Sequence, residues 1–107
     1  MTFTGGNLND TIIVANTARY AAVYGGSGDD YIENNAADVY MWGQDGNDKI
    51  INNGANSCLI FGGNGDDTVE ITKGTGHYLD AGDGNDNVTV LGSASNATIY
   101  GLSLIHI

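Results

Sequence analysis

The chain has 107 residues and a formal net charge of −10, with 13 acidic residues and only three basic ones. A chain of this length forms one small domain with a modest core, and so acidic a composition argues against nucleic acid or an anionic membrane as a partner. The single cysteine excludes an internal disulfide, and no apolar run approaches the roughly 18 residues of a membrane-spanning helix, so no membrane insertion is predicted.

A glycine- and aspartate-rich motif recurs five times along the chain. It reads GGNLNDTI from residue 5, GGSGDDYI from 25, GQDGNDKI from 43, GGNGDDTV from 62 and AGDGNDNV from 81. Its first six residues are called the glycine loop below. The sixth place is aspartate in every copy, with steps of 20, 18, 19 and 19 residues between Asp10, Asp30, Asp48, Asp67 and Asp86. A fixed period of this length is typical of solenoids, in which each repeat forms one turn.

Each glycine loop lies between two short strand patterns. Two residues after each aspartate comes an apolar residue that we expect to face inward, namely Ile12, Ile32, Ile50, Val69 and Val88. A second strand precedes the next loop, reading AAVY from 21, VYMW from 39, CLIF from 58, HYLD from 77 and ATIY from 97. Helical periodicity is absent. The sequence therefore predicts an all-β parallel β-roll, a β-solenoid of about 19 residues per turn over residues 1–101.

The loops combine charge with backbone freedom. Stacked turns would superpose the sixth-place aspartates, and two carboxylates about 5 Å apart repel by roughly 3 kcal/mol at an effective dielectric constant of about 20. Ca²⁺ binds carboxylate and carbonyl oxygens, and glycine allows the tight turns that aim several carbonyls at one point. The pattern predicts calcium ions between successive loops, on one edge of the roll.

The loops resemble the GGxGxDxUx nonapeptide of RTX (hemolysin-type) calcium-binding repeats. The resemblance covers residues 5–101 and implies a right-handed β-roll with three or four Ca²⁺, in a secreted or cell-surface bacterial protein that folds on calcium binding outside the cell. Typical members carry loops at both ends of each turn, whereas here only one edge has them. The predicted metal-site residues are Asp10, Gly25, Gly26, Ser27, Gly28, Asp30, Gly43, Asp45, Gly46, Asp48, Gly62, Gly63, Asn64, Gly65, Asp67, Gly82, Asp83, Gly84 and Asp86.

Two loops depart from the motif. Leu8 replaces the fourth-place glycine of the first loop, and Gln44 replaces the second-place glycine of the third. The site between the first two loops is therefore predicted to be the least regular of four.

Aromatic residues alternate with inward-facing ones before the loops. Val23, Met41, Ile60, Leu79 and Ile99 should face inward, and the outward set comprises Tyr24, Tyr40, Trp42, Leu59, Phe61, Tyr78 and Tyr100. Such a ladder stabilises a solenoid face or docks a polysaccharide or protein partner, which gives an adhesive module as the alternative function. An ice-binding solenoid is a weaker alternative, because it needs regular outward rows of threonine and asparagine on the loops, and the threonine row is missing. The third loop places are Asn7, Ser27, Asp45, Asn64 and Asp83, and the fifth are Asn9, Asp29, Asn47, Asp66 and Asn85.

The remaining polar residues indicate structure rather than catalysis. Cys58 shares an inward column with Val39 and is predicted to be a packed thiol, whereas the larger His77 in that column is expected to be strained or partly exposed. Asn34 and Asn52 should form a hydrogen-bond ladder at the opposite corner. No Ser/His/Asp set, Cys/His pair or carboxylate cleft is recognisable, so no enzyme is predicted.

The last six residues, LSLIHI at 102–107, break the repeat where a sixth loop is due. They resemble a translated sequencing adapter, and we predict that they form a non-native tail.

Overall fold

A computed structural model of the protein describes residues 1–100 and the strand Ile105–His106. Regular structure in this part of the chain is entirely β, and no helix that could span a membrane occurs in it. The strands are β1 Thr2–Gly6, β2 Thr11–Val14, β3 Ala22–Gly26, β4 Tyr31–Asn34, β5 Tyr40–Trp42, β6 Lys49–Asn52, β7 Leu59–Phe61, β8 Thr68–Thr75, β9 Tyr78–Asp80, β10 Asn87–Ser95, β11 Thr98–Tyr100 and β12 Ile105–His106.

The strands form two parallel six-stranded sheets. One has the order β1-β3-β5-β7-β9-β11 and the other β12-β10-β8-β6-β4-β2. Consecutive turns stay in register, so that Ile12, Ile32, Ile50 and Val69 follow one another across the second sheet. The chain is therefore a β-solenoid of about five turns with about 19 residues per turn, which confirms the predicted fold class.

Each end of the roll has a strand that was not predicted from the sequence. Strand β1 was not predicted, although Thr2–Gly6 ends in a glycine pair that follows an alternation of polar and apolar residues. At the other end, Ile105–His106 pairs in parallel with β10, opposite Val88 and Thr89. The rest of the predicted tail, and Gly101, lie outside the described residues.

The core lies between the two sheets and is built from the predicted inward positions. Val23, Met41 and Ile60 are fully buried from one sheet, and Ile32, Ile50 and Val88 from the other. Ile12 and Ile99 are only partly buried, because β2 and β11 each have a described neighbour on one side alone.

The corner opposite the glycine loops contains a buried polar column, formed by Asn34, Asn52, Cys58 and His77. The predicted ladder is confirmed, since Asn34 Nδ2 donates to Asn52 Oδ1 over 2.9 Å. Cys58 is packed and fully buried, as expected. The expected partial exposure of His77 was wrong: the residue is 1% exposed, because the column offers its ring hydrogen-bond partners as well as space.

Close stacking of the loops depends on glycine at the fourth place. Gly28, Gly46 and Gly65 have φ angles of 96°, 109° and 105°, a region that side chains disfavour. A Cβ at any of them would also lie under 3.0 Å from a carbonyl oxygen of the preceding turn. In the second place, where other loops have glycine, Gln44 adopts the same left-handed region with φ of 71°.

We expect Gly65→Ala to destabilise the roll by about 1–3 kcal/mol or more, because the substitution combines a disfavoured φ angle with a backbone clash. Gly92→Ala is the matched control, since nothing lies within 4 Å of its added methyl group. Denaturant unfolding at fixed calcium concentration compares the two. Equal stabilities would show that the loops do not need this close approach.

Candidate metal centre

The five sixth-place aspartates form one column along the edge of the roll. Each directly precedes an even-numbered strand, so the parallel register superposes them. Asp30, Asp48, Asp67 and Asp86 are at most 3% exposed, and Asp10, in the first turn, is partly buried. Four carboxylates are thus withdrawn from water.

In these four carboxylates, the Oδ1 atom accepts a hydrogen bond from a backbone N–H of the preceding turn. Asp30 Oδ1 accepts the Asp10 N–H, and Asp48 Oδ1 accepts the Asp30 N–H, both over 2.8 Å. Asp67 and Asp86 repeat the contact over 2.9 and 2.8 Å. The carboxylates therefore continue the inter-turn ladder through the loops.

The other oxygen of every carboxylate in the column has no partner. The Oδ2 atoms of all five aspartates are buried and form no hydrogen bond. An unpaired buried polar atom costs free energy, and an unpaired buried charge costs more. A regular row of five such atoms is stabilised by a proton or by a cation.

The row faces the first-place glycines. A Cβ on Gly25 would lie 2.8 Å from Asp30 Oδ2 and 2.8 Å from the Gly43 carbonyl oxygen. On Gly43 the corresponding distances are 2.6 Å to Asp48 Oδ2 and 2.7 Å to the Gly62 carbonyl oxygen. These glycines do not have positive φ angles. Glycine is needed there because a side chain would collide with the two oxygens, not because of the backbone conformation. A carboxylate oxygen and a carbonyl oxygen of the next turn share that space.

This pair of oxygens recurs in four of the five loops. The first loop has it despite Leu8, since a Cβ on Gly5 would lie 2.6 Å from Asp10 Oδ2 and against the Gly25 carbonyl oxygen. The fourth loop pairs Asp67 Oδ2 with the Ala81 carbonyl oxygen. In the fifth loop the first place is Ala81 itself, whose methyl group takes up the corresponding space.

The fifth loop place is a useful comparison, because it forms a second ladder on the exposed side. Asp29 N–H donates to Asn9 Oδ1 and Asn47 N–H donates to Asp29 Oδ1, both over 2.8 Å. Asparagine and aspartate alternate there as Asn9, Asp29, Asn47, Asp66 and Asn85. An amide oxygen therefore suffices for the backbone bond. The buried column has aspartate in all five loops. This indicates that its second oxygen and its charge have a role beyond the backbone hydrogen bond.

Burial also raises the pKa values of the column. The pKa of Asp48 is raised to about 7 and that of Asp67 to about 8, mainly through desolvation and further through neighbouring carboxylates. The pKa values of Asp30 and Asp86 are raised for the same main reason. Without a cation, the interior of the row would retain protons near neutral pH.

The donor set fits a hard cation. Every candidate ligand atom in the row is a carboxylate or carbonyl oxygen, which Ca²⁺ prefers. Among the described residues no three His, Cys, Asp or Glu side chains come together as a metal cluster. Each turn contributes one carboxylate to the row. Main-chain carbonyls or water would supply the remaining ligands of a bound ion.

The third-place side chains lie apart from the row. Ser27, Asp45, Asn64 and Asp83 are exposed, and Asn64 Nδ2 donates to Asp45 Oδ1 over 3.1 Å. Their contribution to the metal sites stays a prediction. The second- and fourth-place glycines contribute the tight turn that brings the loops together.

The aromatic face, formed by Tyr24, Trp42, Phe61, Tyr78 and Tyr100, lies on the outer side of the first sheet. Tyr24 and Trp42 stack with ring centroids 4.7 Å apart and planes within 6°, and Phe61 continues the stack at 5.6 Å. Because ring faces are covered by neighbouring rings, the stack presents mainly ring edges to solvent. This geometry favours the stabilising role of the ladder.

No family model, curated protein or solved structure matches this chain. The function is therefore inferred from the geometry.

We expect the metal-free protein to lose stability as the pH rises towards about 8, and to level off above it. The raised pKa values of Asp48 and Asp67 mean that the folded state holds protons that the unfolded chain has already released above about pH 4. Thermal unfolding between pH 6.5 and 9, in buffer stripped of divalent ions, measures this. A metal-free stability that increases over that range would contradict the burial of unpaired carboxylates.

Proposed function

We propose that this chain binds Ca²⁺ along its glycine-loop edge and serves as a structural module whose folding depends on the ions. The observation that carries the proposal is the row of five buried Oδ2 atoms without hydrogen-bond partners. At four of them, a Cβ added to the first-place glycine would lie within 3 Å of both the Oδ2 atom and a carbonyl oxygen of the next turn. This supports four inter-loop sites and agrees with the expected three or four ions.

Basic side chains do not supply the missing charge. Arg19 pairs with Asp38 at 2.6 Å, away from the loops. Lys49 and Lys73 are exposed, and neither forms an ion pair within the described residues. Protons or cations remain as partners, and at neutral pH a divalent cation neutralises the row more completely.

Calcium fits better than magnesium. Mg²⁺ requires a compact octahedral shell and retains its waters, whereas Ca²⁺ accepts six to eight oxygens in irregular arrangements. A row that offers one carboxylate oxygen and one carbonyl oxygen per gap from a rigid ladder suits the larger ion.

The loop motif and the parallel roll together support an RTX-type module. A secreted or cell-surface bacterial setting belongs to the same proposal, because extracellular calcium would then drive folding after export. The proposal includes no enzymatic activity.

Docking of a polysaccharide or a protein is the second candidate function. It is favoured by an open groove of about 630 Å³ between the aromatic face and the loops, lined by Trp42, Phe61, Ser27, Asp45 and Asn64. The stacked rings offer edges rather than faces to such a partner, so calcium binding is the better supported function.

We expect Asp67→Asn to lower the number of bound calcium ions by about one. The substitution retains an oxygen for the Asp48 N–H and removes the charge beside the Ala81 carbonyl. In metal-free buffer the variant should be at least as stable as the parent, since a buried unpaired carboxylate is gone. Isothermal titration with Ca²⁺, and with Mg²⁺ for comparison, gives the stoichiometry.

Asp66→Asn is the matched control. It removes the same charge from the neighbouring residue, at an exposed place where other loops already have asparagine, and should leave the stoichiometry unchanged. Equal calcium binding by the two variants would mean that the acids act as a diffuse charge, and the inter-loop sites would have to be abandoned.

A further inference from the structure

His77 is the one histidine among residues 1–100, and its ring is held inside the buried polar column. Its Nδ1 lies 3.1 Å from the Cys58 backbone nitrogen and 3.4 Å from Asn52 Nδ2. Its Nε2 lies 3.0 Å from the Lys73 carbonyl oxygen. The ring therefore connects β6, the segment before β7, and β8.

These partners fix the tautomer of the ring. A backbone N–H can only donate, so Nδ1 must accept from Cys58, and a carbonyl can only accept, so Nε2 must carry the hydrogen. The second contact of Nδ1 is a donor as well. Asn52 Oδ1 is already used by Asn34 Nδ2 and by the Gly54 N–H, which leaves Asn52 Nδ2 directed at the ring.

We propose that His77 is an acid-sensitive lock on the corner opposite the glycine loops. A proton on Nδ1 would face two N–H donors, break the bond from Cys58 and place a charge at a site that is 1% exposed. Cys58 and Lys73 face the ring with a backbone N–H and a backbone carbonyl, while the Cys58 thiol donates to the carbonyls of Ala36 and Asn56. No carboxylate hydrogen-bonds or ion-pairs with the ring in the described part of the chain.

The ring has no room to escape this conflict. A Cβ on Gly74 would lie 2.6 Å from Nε2, so the backbone of β8 packs directly against the ring edge. The amide of Asn52 cannot reverse, because reversal would turn its nitrogen towards two other donors, Asn34 Nδ2 and the Gly54 N–H. The unfavourable contact between a protonated Nδ1 and its two N–H neighbours is relieved only when the corner opens. This device acts far from the carboxylate row and does not rest on calcium binding.

The direction of the pH effect follows from linkage. Histidine in an unfolded chain takes up a proton near pH 6.5, whereas in the folded corner a proton on Nδ1 would face the Cys58 N–H and Asn52 Nδ2. The unfolding equilibrium constant should therefore rise as the pH falls below about 6.5, by up to about tenfold per pH unit from this group.

The test compares the full chain with His77→Asn, whose Oδ1 can accept the Cys58 N–H without titrating. Denaturant unfolding is followed between pH 5 and 7.5, once with saturating Ca²⁺ and once in metal-free buffer. We expect the stability of the parent to fall relative to that of the variant as the pH drops below 6.5, in both conditions. Parallel profiles would overturn the proposal.

A measurement on the parent protein covers the case in which the variant does not fold. Nitrogen NMR of the His77 ring should show Nδ1 unprotonated and Nε2 protonated at every pH at which the native spectrum persists. A ring that becomes doubly protonated while the Cys58 amide signal keeps its native position would overturn the lock.

Discussion

The stacking of identical turns is the constraint on which this protein depends. Parallel strands repeat every 4.8 Å or so, and whatever one turn places at a given position is repeated directly above and below it. Isoleucine and valine form a continuous core in this way, and aromatic rings form a continuous stack. The same rule forces five carboxylates into one buried column. Under the proposed function, neutralising that column is the condition under which the other rows form.

Buried polar groups are paired differently at the two corners of the turn. At the corner opposite the loops, Asn34, Asn52 and His77 satisfy one another and the backbone. At the loop corner the backbone is satisfied by Oδ1, and Oδ2 is left over. One corner is complete within the chain, at the cost of sensitivity to protons. The other is not complete within the chain, and we propose Ca²⁺ as the component from solution that completes it.

Much of this arrangement was predictable from the sequence, because a fixed period turns linear spacing into columns. The period located Asp48 and Asp67 in one row and Met41 and Ile60 in another. Directions of hydrogen bonds could not be predicted: that Oδ1 serves the preceding turn, and that Asn9 and Asp29 form a second ladder, depends on loop geometry. The environment of His77 was wrongly anticipated because its size was weighed without its hydrogen-bond partners. Strand β1 was missed because it precedes the first complete motif.

The central claim is that calcium ions lie between the loops at the Oδ2 row. Anomalous diffraction from crystals grown in calcium tests this directly. The account predicts a row of anomalous peaks about one strand spacing apart, each within about 2.3–2.6 Å of an Oδ2 atom of the column. A native electron-density map without such peaks, in which the Oδ2 atoms lie within hydrogen-bond distance of carbonyl oxygens, would contradict it.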